Sequence, residues 1–445
     1  MMENFFVDLV AVAVVLGIMI VVHEFGHFTA AKLFDVRVEQ FAIGFGKRLF
    51  GIKKGETDYR VNALPFGGYV KMAGENPLEA HSGDPREFTS KPRWQRFVIA
   101  FAGPFANVVL AVALLTGVFM VRYEHPVYLN QPAVIGWVLD NSAAQKVGIQ
   151  PGDRIVRIED VQNPTWEDVL PKVVMSPGQP ITLAIQRGDQ ILEKTIVPTP
   201  TGPEEFGNPG WLPDQPNTVT EIEPSLPAAK AGIRVGDTIV ALNGQPTRSM
   251  QAVIREIQAN KDKPIALTVV RDSKELNFTV APMLTDLNGK QMWRIGIRSE
   301  PQQVDKLTFA KAFLKSLDQN KRNSFLIIEL VEKMVQRKVS VKQFSSPIGI
   351  AQASGEAARQ QGWTPLLALM SAISLNLAIF NLFPFPILDG GMILLLAIEG
   401  IRRRDISLRL KERIYQLAFV LLILFAVIVI YNDLAKTLPG LQRLP

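Results

Sequence analysis

The chain has 445 residues, 47% of them hydrophobic, a formal net charge of +6 and no cysteine. That length suggests two or three domains rather than one. The missing thiols exclude disulfides, thiolate metal sites and a cysteine nucleophile, and the basic residues do not form the aromatic-interleaved soluble patch that a nucleic-acid surface requires.

Residues 5–22 carry one charge, Asp8, and with their flanks are long enough to cross a hydrocarbon core of ~30 Å. They lack a basic leader and a small-residue cleavage site, so residues 1–34 read as a retained transmembrane helix rather than a signal peptide. At its end stands His23-Glu24-Phe25-Gly26-His27, which holds two of the four histidines in the chain. On a helix, histidines at i and i+4 share one face. Glu24, one residue further on, reaches a water on the same metal. The pattern is that of two zinc ligands and a general base.

Residues 35–94 follow. Within them VEQFAIGF, TDYRVNAL and GGYVKM alternate like strands, and Pro65-Phe66-Gly67-Gly68 is expected to make the turn. Strand edges are not tolerated bare in lipid, so this β element must be buried in protein or line a cavity beside His23 and His27. An exposed edge there can pair with an extended substrate. Residues 97–121 are uncharged and place a second transmembrane helix at 95–122.

An internal repeat comes next. Val147-Gly148-Ile149-Gln150-Pro151-Gly152-Asp153-Arg154-Ile155-Val156 matches Ala231-Gly232-Ile233-Arg234-Val235-Gly236-Asp237-Thr238-Ile239-Val240 at an offset of 84 residues (232 − 148). Each copy has strand-like runs around a helix-like segment, Trp166–Met175 in one and Met250–Ala259 in the other. The signature resembles a PDZ domain, giving copies at 130–199 and 216–284 with the Pro/Gly-rich 198–216 as linker. The activity this implies is capture of a peptide by strand addition. Residues 300–345 contain Phe309, Phe313, Leu317, Phe325, Ile328 and Val331 at helical spacing among basic residues, an amphipathic helical segment.

A third apolar segment, 364–398, contains Asp389, and a fourth spans 412–433. The fold class is therefore a multi-span α-helical membrane protein of four transmembrane helices, with a membrane-associated β element and two extracytoplasmic β-rich domains. Basic residues crowd segment 32–96 and the loop before the last helix, where Arg402, Arg403, Arg404, Arg409, Lys411 and Arg413 lie. These loops should face the cytoplasm and both termini and the repeats the opposite side.

Two histidines leave a catalytic zinc one protein ligand short. The candidates are His81, in a polar loop, and Asp389, a carboxylate at membrane depth. A carboxylate there costs about 2.5–3.5 kcal/mol on the lenient insertion scale and marks function by default. Pro384 and Pro386 should break the helix before Asp389, and Gly390-Gly391 should let the backbone turn after it.

His23-Glu24-Phe25-Gly26-His27, Gly67-Gly68-Tyr69-Val70-Lys71-Met72, residues 102–107 (AGPFAN), the repeats and residues 381–391 (NLFPFPILDGG) together resemble the bacterial site-2 proteases, along essentially the whole chain. The resemblance implies an inner-membrane zinc metalloprotease that hydrolyses peptide bonds within transmembrane segments. Its substrates would be single-span membrane proteins already shortened by another protease, of the anti-sigma-factor type, or signal-peptide remnants. It implies Zn2+ on His23, His27 and Asp389, and Glu24 as base. Asn376 and Asn381 would handle the substrate, and Gly67, Gly68 and Tyr69 would belong to a membrane-reentrant β element that holds it as a strand. The repeats would bind substrate tails or filter substrates by size. A rival reading is a membrane-anchored PDZ scaffold with a non-catalytic metal site. A second is a soluble metalloprotease domain tethered to the bilayer, with His81 as third ligand.

Overall fold

The computed structural model describes residues 2–75, 83–202, 205–215, 217–287, 290–299, 302–336, 338–339, 347–360 and 362–437. These form two compact units. One comprises Met1–Tyr123, Lys306–Val331 and Phe344–Pro445, and the other Glu124–Asp305 with Glu332–Gln343.

In the first unit four helices are long and apolar enough to cross a membrane: Val7–Leu33 within α1 (Met2–Leu33), α2 (Arg93–Val121), Thr364–Asn381 and Leu408–Tyr431. Their apolar side chains point outward as well as inward, with Val14 and Ile18 of α1 and Leu417, Phe419 and Leu424 of the last helix exposed. Lipid tails are as apolar as leucine, so burial of oil from water does not hold such helices together. Close backbone approach and interhelical hydrogen bonds do. A side-chain carbon added to Gly26 of α1 would collide with the Ala102 carbonyl of α2. Ser371 Oγ donates to Ala111 O at 2.8 Å, Ser374 Oγ to Asn107 O at 2.8 Å and Ser316 Oγ to Val112 O at 2.9 Å. These hydroxyls join α2 to Thr364–Asn381 and to the amphipathic helix Phe309–Val335.

Three expectations change in this unit. The segment 364–398, expected as one span broken just before Asp389, is two separate helices, Thr364–Asn381 and Asp389–Arg402, with an irregular segment between them. The break lies wholly before Asp389, where Pro384 and Pro386 supply no N–H. Gly390 and Gly391 do not turn the chain; they are helical, and their bare Cα atoms pack against the Leu382 and Phe385 carbonyls of that segment. A helix the sequence pattern did not signal, Pro347–Arg359, packs on α1, and its Arg359 pairs with the intramembrane Asp8. Finally, the β element is one long hairpin, β1 (Val38–Lys54) and β2 (Thr57–Met72), which reverses at Gly55-Glu56. Residues 65–68, expected to be the turn, lie inside β2 as an irregularity where Gly67 has φ +105°. Val38–Ile43 pairs with Gly68–Met72 and also with Asp58–Val61, so Gly68–Met72 is an outer strand.

The second unit contains the repeat twice over. The first copy is a four-stranded sheet in the order Val161–Gln162, Arg154–Ile158, Ile181–Arg187, Gln190–Ile196. The second has the same order, Gln245–Pro246, Thr238–Leu242, Ile265–Arg271, Lys274–Val280. The helix Trp166–Val174 closes the first core, with Trp166, Val169 and Val173 packed on Ile155, Leu183 and Ile185. Met250–Asn260 closes the second with Met250, Val253 and Ile257. The stretch 198–216, expected to link the copies, instead contributes strands. Trp211–Pro213 pairs with Ile135–Val138 of the first copy, and Trp211 is buried in that core. Similarly Ile297–Arg298, beyond the expected end of the second copy, pairs with Glu221–Ile222. Strands this short, punctuated by Gly and Pro, carry too little alternation to stand out from a linker.

Candidate metal centre

His23 and His27 come one turn apart on α1, and both are buried. His27 Nδ1 lies 2.8 Å from the Ile99 carbonyl of α2. The proton is thus on Nδ1, and the Nε2 lone pair faces inward. Gly103 of α2 makes room for that ring, since a side-chain carbon there would collide with His27 Nε2. His23 Nδ1 lies 3.3 Å from the Asn107 amide. Asn107 is fully buried, and its Oδ1 otherwise lacks a partner. Turned to accept from Nδ1–H, this amide would leave the His23 Nε2 lone pair inward as well.

Asp389, in the first turn of Asp389–Arg402, completes the cluster. His23 Nε2 is 3.1 Å from Asp389 Oδ2, His27 Nε2 is 3.4 Å from Oδ1, and the two Nε2 atoms are 3.2 Å apart. Ligands held tetrahedrally at about 2.0–2.1 Å from one zinc ion lie about 3.3–3.4 Å from each other. The three donors therefore stand at the mutual separations of a zinc site. Two neutral imidazole lone pairs turned toward each other beside a carboxylate are also unfavourable unless a cation or proton lies between them. Among the described residues, this is a cluster of His and Asp able to hold a metal ion.

The cluster opens into a cavity of about 380 Å³ lined by Glu24, Gly67, Gly68, Tyr69, Glu75 and Asn381, among others. Asn381 Nδ2 lies 3.5 Å from His23 Nε2. Asn376, five residues earlier on the same helix, is exposed and does not line the cavity. His81, the other candidate ligand, lies outside the described residues. Glu24 accepts from the Val70 N–H of β2, and Tyr69 Oη donates to Gln40 Oε1 at 3.1 Å. Glu75 was not singled out by the sequence reading, and Gly103 and Asn107 stood there only as members of residues 102–107 (AGPFAN), with no role assigned. A signal existed for Asn107, because an amide inside an uncharged span needs a partner.

A sequence model of peptidase family M50 matches residues 11–425. The chain belongs to that family. It is a multi-pass intramembrane zinc metalloprotease, and family membership and the metal cluster lead to the same chemistry. The M50 chain is 31% identical to the regulator of sigma-E protease RseP of Salmonella typhimurium, over 96% of its own length and 98% of that protein. It is likewise 31% identical to RseP of Escherichia coli K12 (98% and 100%) and to the protease RseP of Yersinia pestis (96% and 98%). Among solved structures, the PDZ domain of an SdrC-like protein from Listeria monocytogenes matches at 23% identity. That match covers 19% of the M50 chain and 87% of the Listeria domain, with a TM-score of 0.17.

Proposed function

We propose that the protein cuts single-span membrane proteins inside their transmembrane segments after another protease has trimmed them, with anti-sigma factors as the substrate class. The names of its relatives, regulators of sigma-E, support that class. In this reading His23, His27 and Asp389 hold Zn2+, which when bound polarises the scissile carbonyl and acidifies a water. Glu24 takes the proton of the attacking water and passes it to the leaving amine. The observation that carries the reading is the triangle of His23, His27 and Asp389 at zinc-ligand separations, on helices of membrane length, with Glu24 on the same cavity wall.

A substrate helix hides its carbonyls in its own hydrogen bonds, so it must unwind before attack. The outer edge of β2 from Gly67 to Met72, which includes Gly68 and Tyr69, offers backbone groups to receive it, and Asn381 can donate to or accept from the exposed chain. Asn376 would meet substrate on the outer face of its helix. The two repeats act as PDZ domains that bind substrate tails or screen by size. They and both termini face the periplasm, and the site lies nearer the cytoplasmic side of the inner membrane, in line with the basic loops. The domain divisions read from the sequence serve this scheme, with the copies extended to include Trp211–Pro213 and Ile297–Arg298. Glu24→Gln tests the scheme in reconstituted vesicles. Cleavage of a single-span peptide should fall at least 10²-fold, the usual worth of a positioned base, while one zinc per chain is retained. Undiminished cleavage would remove Glu24 from the role.

A further inference from the structure

The hydrogen-bond pattern of β2 separates its two edges. Ala73 N–H donates to the Arg37 carbonyl at 2.9 Å, and Lys71 and Tyr69 stand opposite Gln40 and Ala42 of β1. Residues 69, 71 and 73 therefore present their N–H groups to the β1 side. By the alternation of a strand, Val70 and Met72 present theirs to the outer edge, the edge beside α1. Neither outer donor is bare. The Val70 N–H is held by the Glu24 carboxylate, and the Met72 N–H by Glu75 Oε2 at 3.2 Å. Both carboxylates line the metal cavity. Donors at i and i+2 of a strand are about 6.8 Å apart, the repeat at which a paired strand presents its carbonyls.

We propose that Glu75 is a displaceable cap on this edge: its carboxylate holds the Met72 N–H until a carbonyl of the extended substrate replaces it. The inference rests on the reading that substrate pairs with Gly68–Met72. An unpaired edge invites indiscriminate strand addition, and a carboxylate on a flexible side chain satisfies the donor while admitting only a segment that competes for it. Glu24 covers the other donor in the same way and is freed for its base role when substrate arrives. Glu75 is thus a specificity-determining residue that sets how readily substrate enters, without touching the reacting atoms. Its rival role is to staple the 72–75 turn, where Glu75 N–H also donates to the Met72 carbonyl at 3.3 Å.

The chain has no cysteine, so a single Lys71→Cys in the Glu24→Gln background reports on the edge by disulfide formation with single-cysteine transmembrane substrates. Cross-links at alternate substrate positions are expected. Adding Glu75→Ala should raise their yield about tenfold at subsaturating substrate, the scale of losing one charge-assisted competitor. Glu75→Gln, which keeps an acceptor without the charge, should give an intermediate rise, with the thermal midpoint unchanged in both. In the otherwise unmodified protein, Glu75→Ala should lower KM and leave kcat as it was. Cross-links that form but stay level or decline with Glu75→Ala would overturn the cap and leave edge pairing intact. A lowered midpoint with a raised KM would assign Glu75 to the staple instead. No cross-link at any substrate position would overturn edge pairing, and the cap with it.

Discussion

Asp237 is gripped from two sides: Arg271 donates to both carboxylate oxygens at 2.6 and 2.7 Å, and the Arg234 N–H donates to Oδ2 at 2.8 Å. Arg271 holds this carboxyl below the usual carboxylate range. A folded value depressed below the unfolded ~3.9 stabilises the protein at every pH above 3.9, and that stabilisation is lost as pH falls through the folded value. Asp237→Asn should therefore cost about 1–3 kcal/mol at neutral pH, the scale of hydrogen bonds to a charged group, and flatten the acid dependence below pH 4. Hydrogen exchange across residues 231–271 of the intact protein reads both. Exchange unchanged at neutral pH would show that the fork carries no stability. The aspartate was legible in the repeated G-I-x-x-G-D signature. Its arginine was not, because 34 residues and a helix separate them. In the first copy Arg187 grips Asp153 and the Gly148 carbonyl as Arg271 grips Asp237 and the Gly232 carbonyl. The same 84-residue offset therefore extends to the arginines, and a search of the offset beyond the motif would have found them.

At the scale of elements, the site depends on how closely α1 and α2 approach. Gly26 meets the Ala102 carbonyl, and Gly103 leaves room for His27. Gly103→Ala should push that ring out of line and weaken zinc binding about 10–100-fold, as loss of a ligand's supporting partner does. Gly117→Ala in the same helix, where nothing lies within 4 Å, should leave zinc binding unchanged. Competitive chelation measures the difference, and equal zinc affinity in the two variants would refute the packing argument. Apolar runs made the four long helices readable, since length and lack of charge suffice for a span. The broken segment before Asp389 was legible in Pro384 and Pro386. The role of Gly390 and Gly391 was not, because the same residue type serves a turn and a close helix contact alike. Pro65-Phe66-Gly67-Gly68 misled for a related reason. Its turn chemistry is used for a bulge inside β2, and the hairpin reverses at Gly55, which takes φ +62°.

On the scale of the whole molecule, the chain divides its labour between two compact units. One carries the long apolar helices and the metal cluster. The other carries two copies of one small β fold, and no part of the His–Asp cluster lies in it. The residues of the cluster come from both ends of the sequence, His23 and His27 in the first helix and Asp389 hundreds of residues later. The cluster therefore forms only when the membrane helices have packed. Pattern reading could nominate Asp389 by its cost in lipid, and the packed fold brings its carboxylate to the two histidines. The central claim is that these three residues share one zinc ion. X-ray absorption at the zinc edge of the purified protein and of Asp389→Ala tests it most directly. The account predicts one zinc per chain with two imidazole nitrogens and carboxylate oxygen at about 2.0–2.2 Å, and loss of the metal or of the carboxylate scatterer in the variant. An unchanged zinc environment in Asp389→Ala would contradict it.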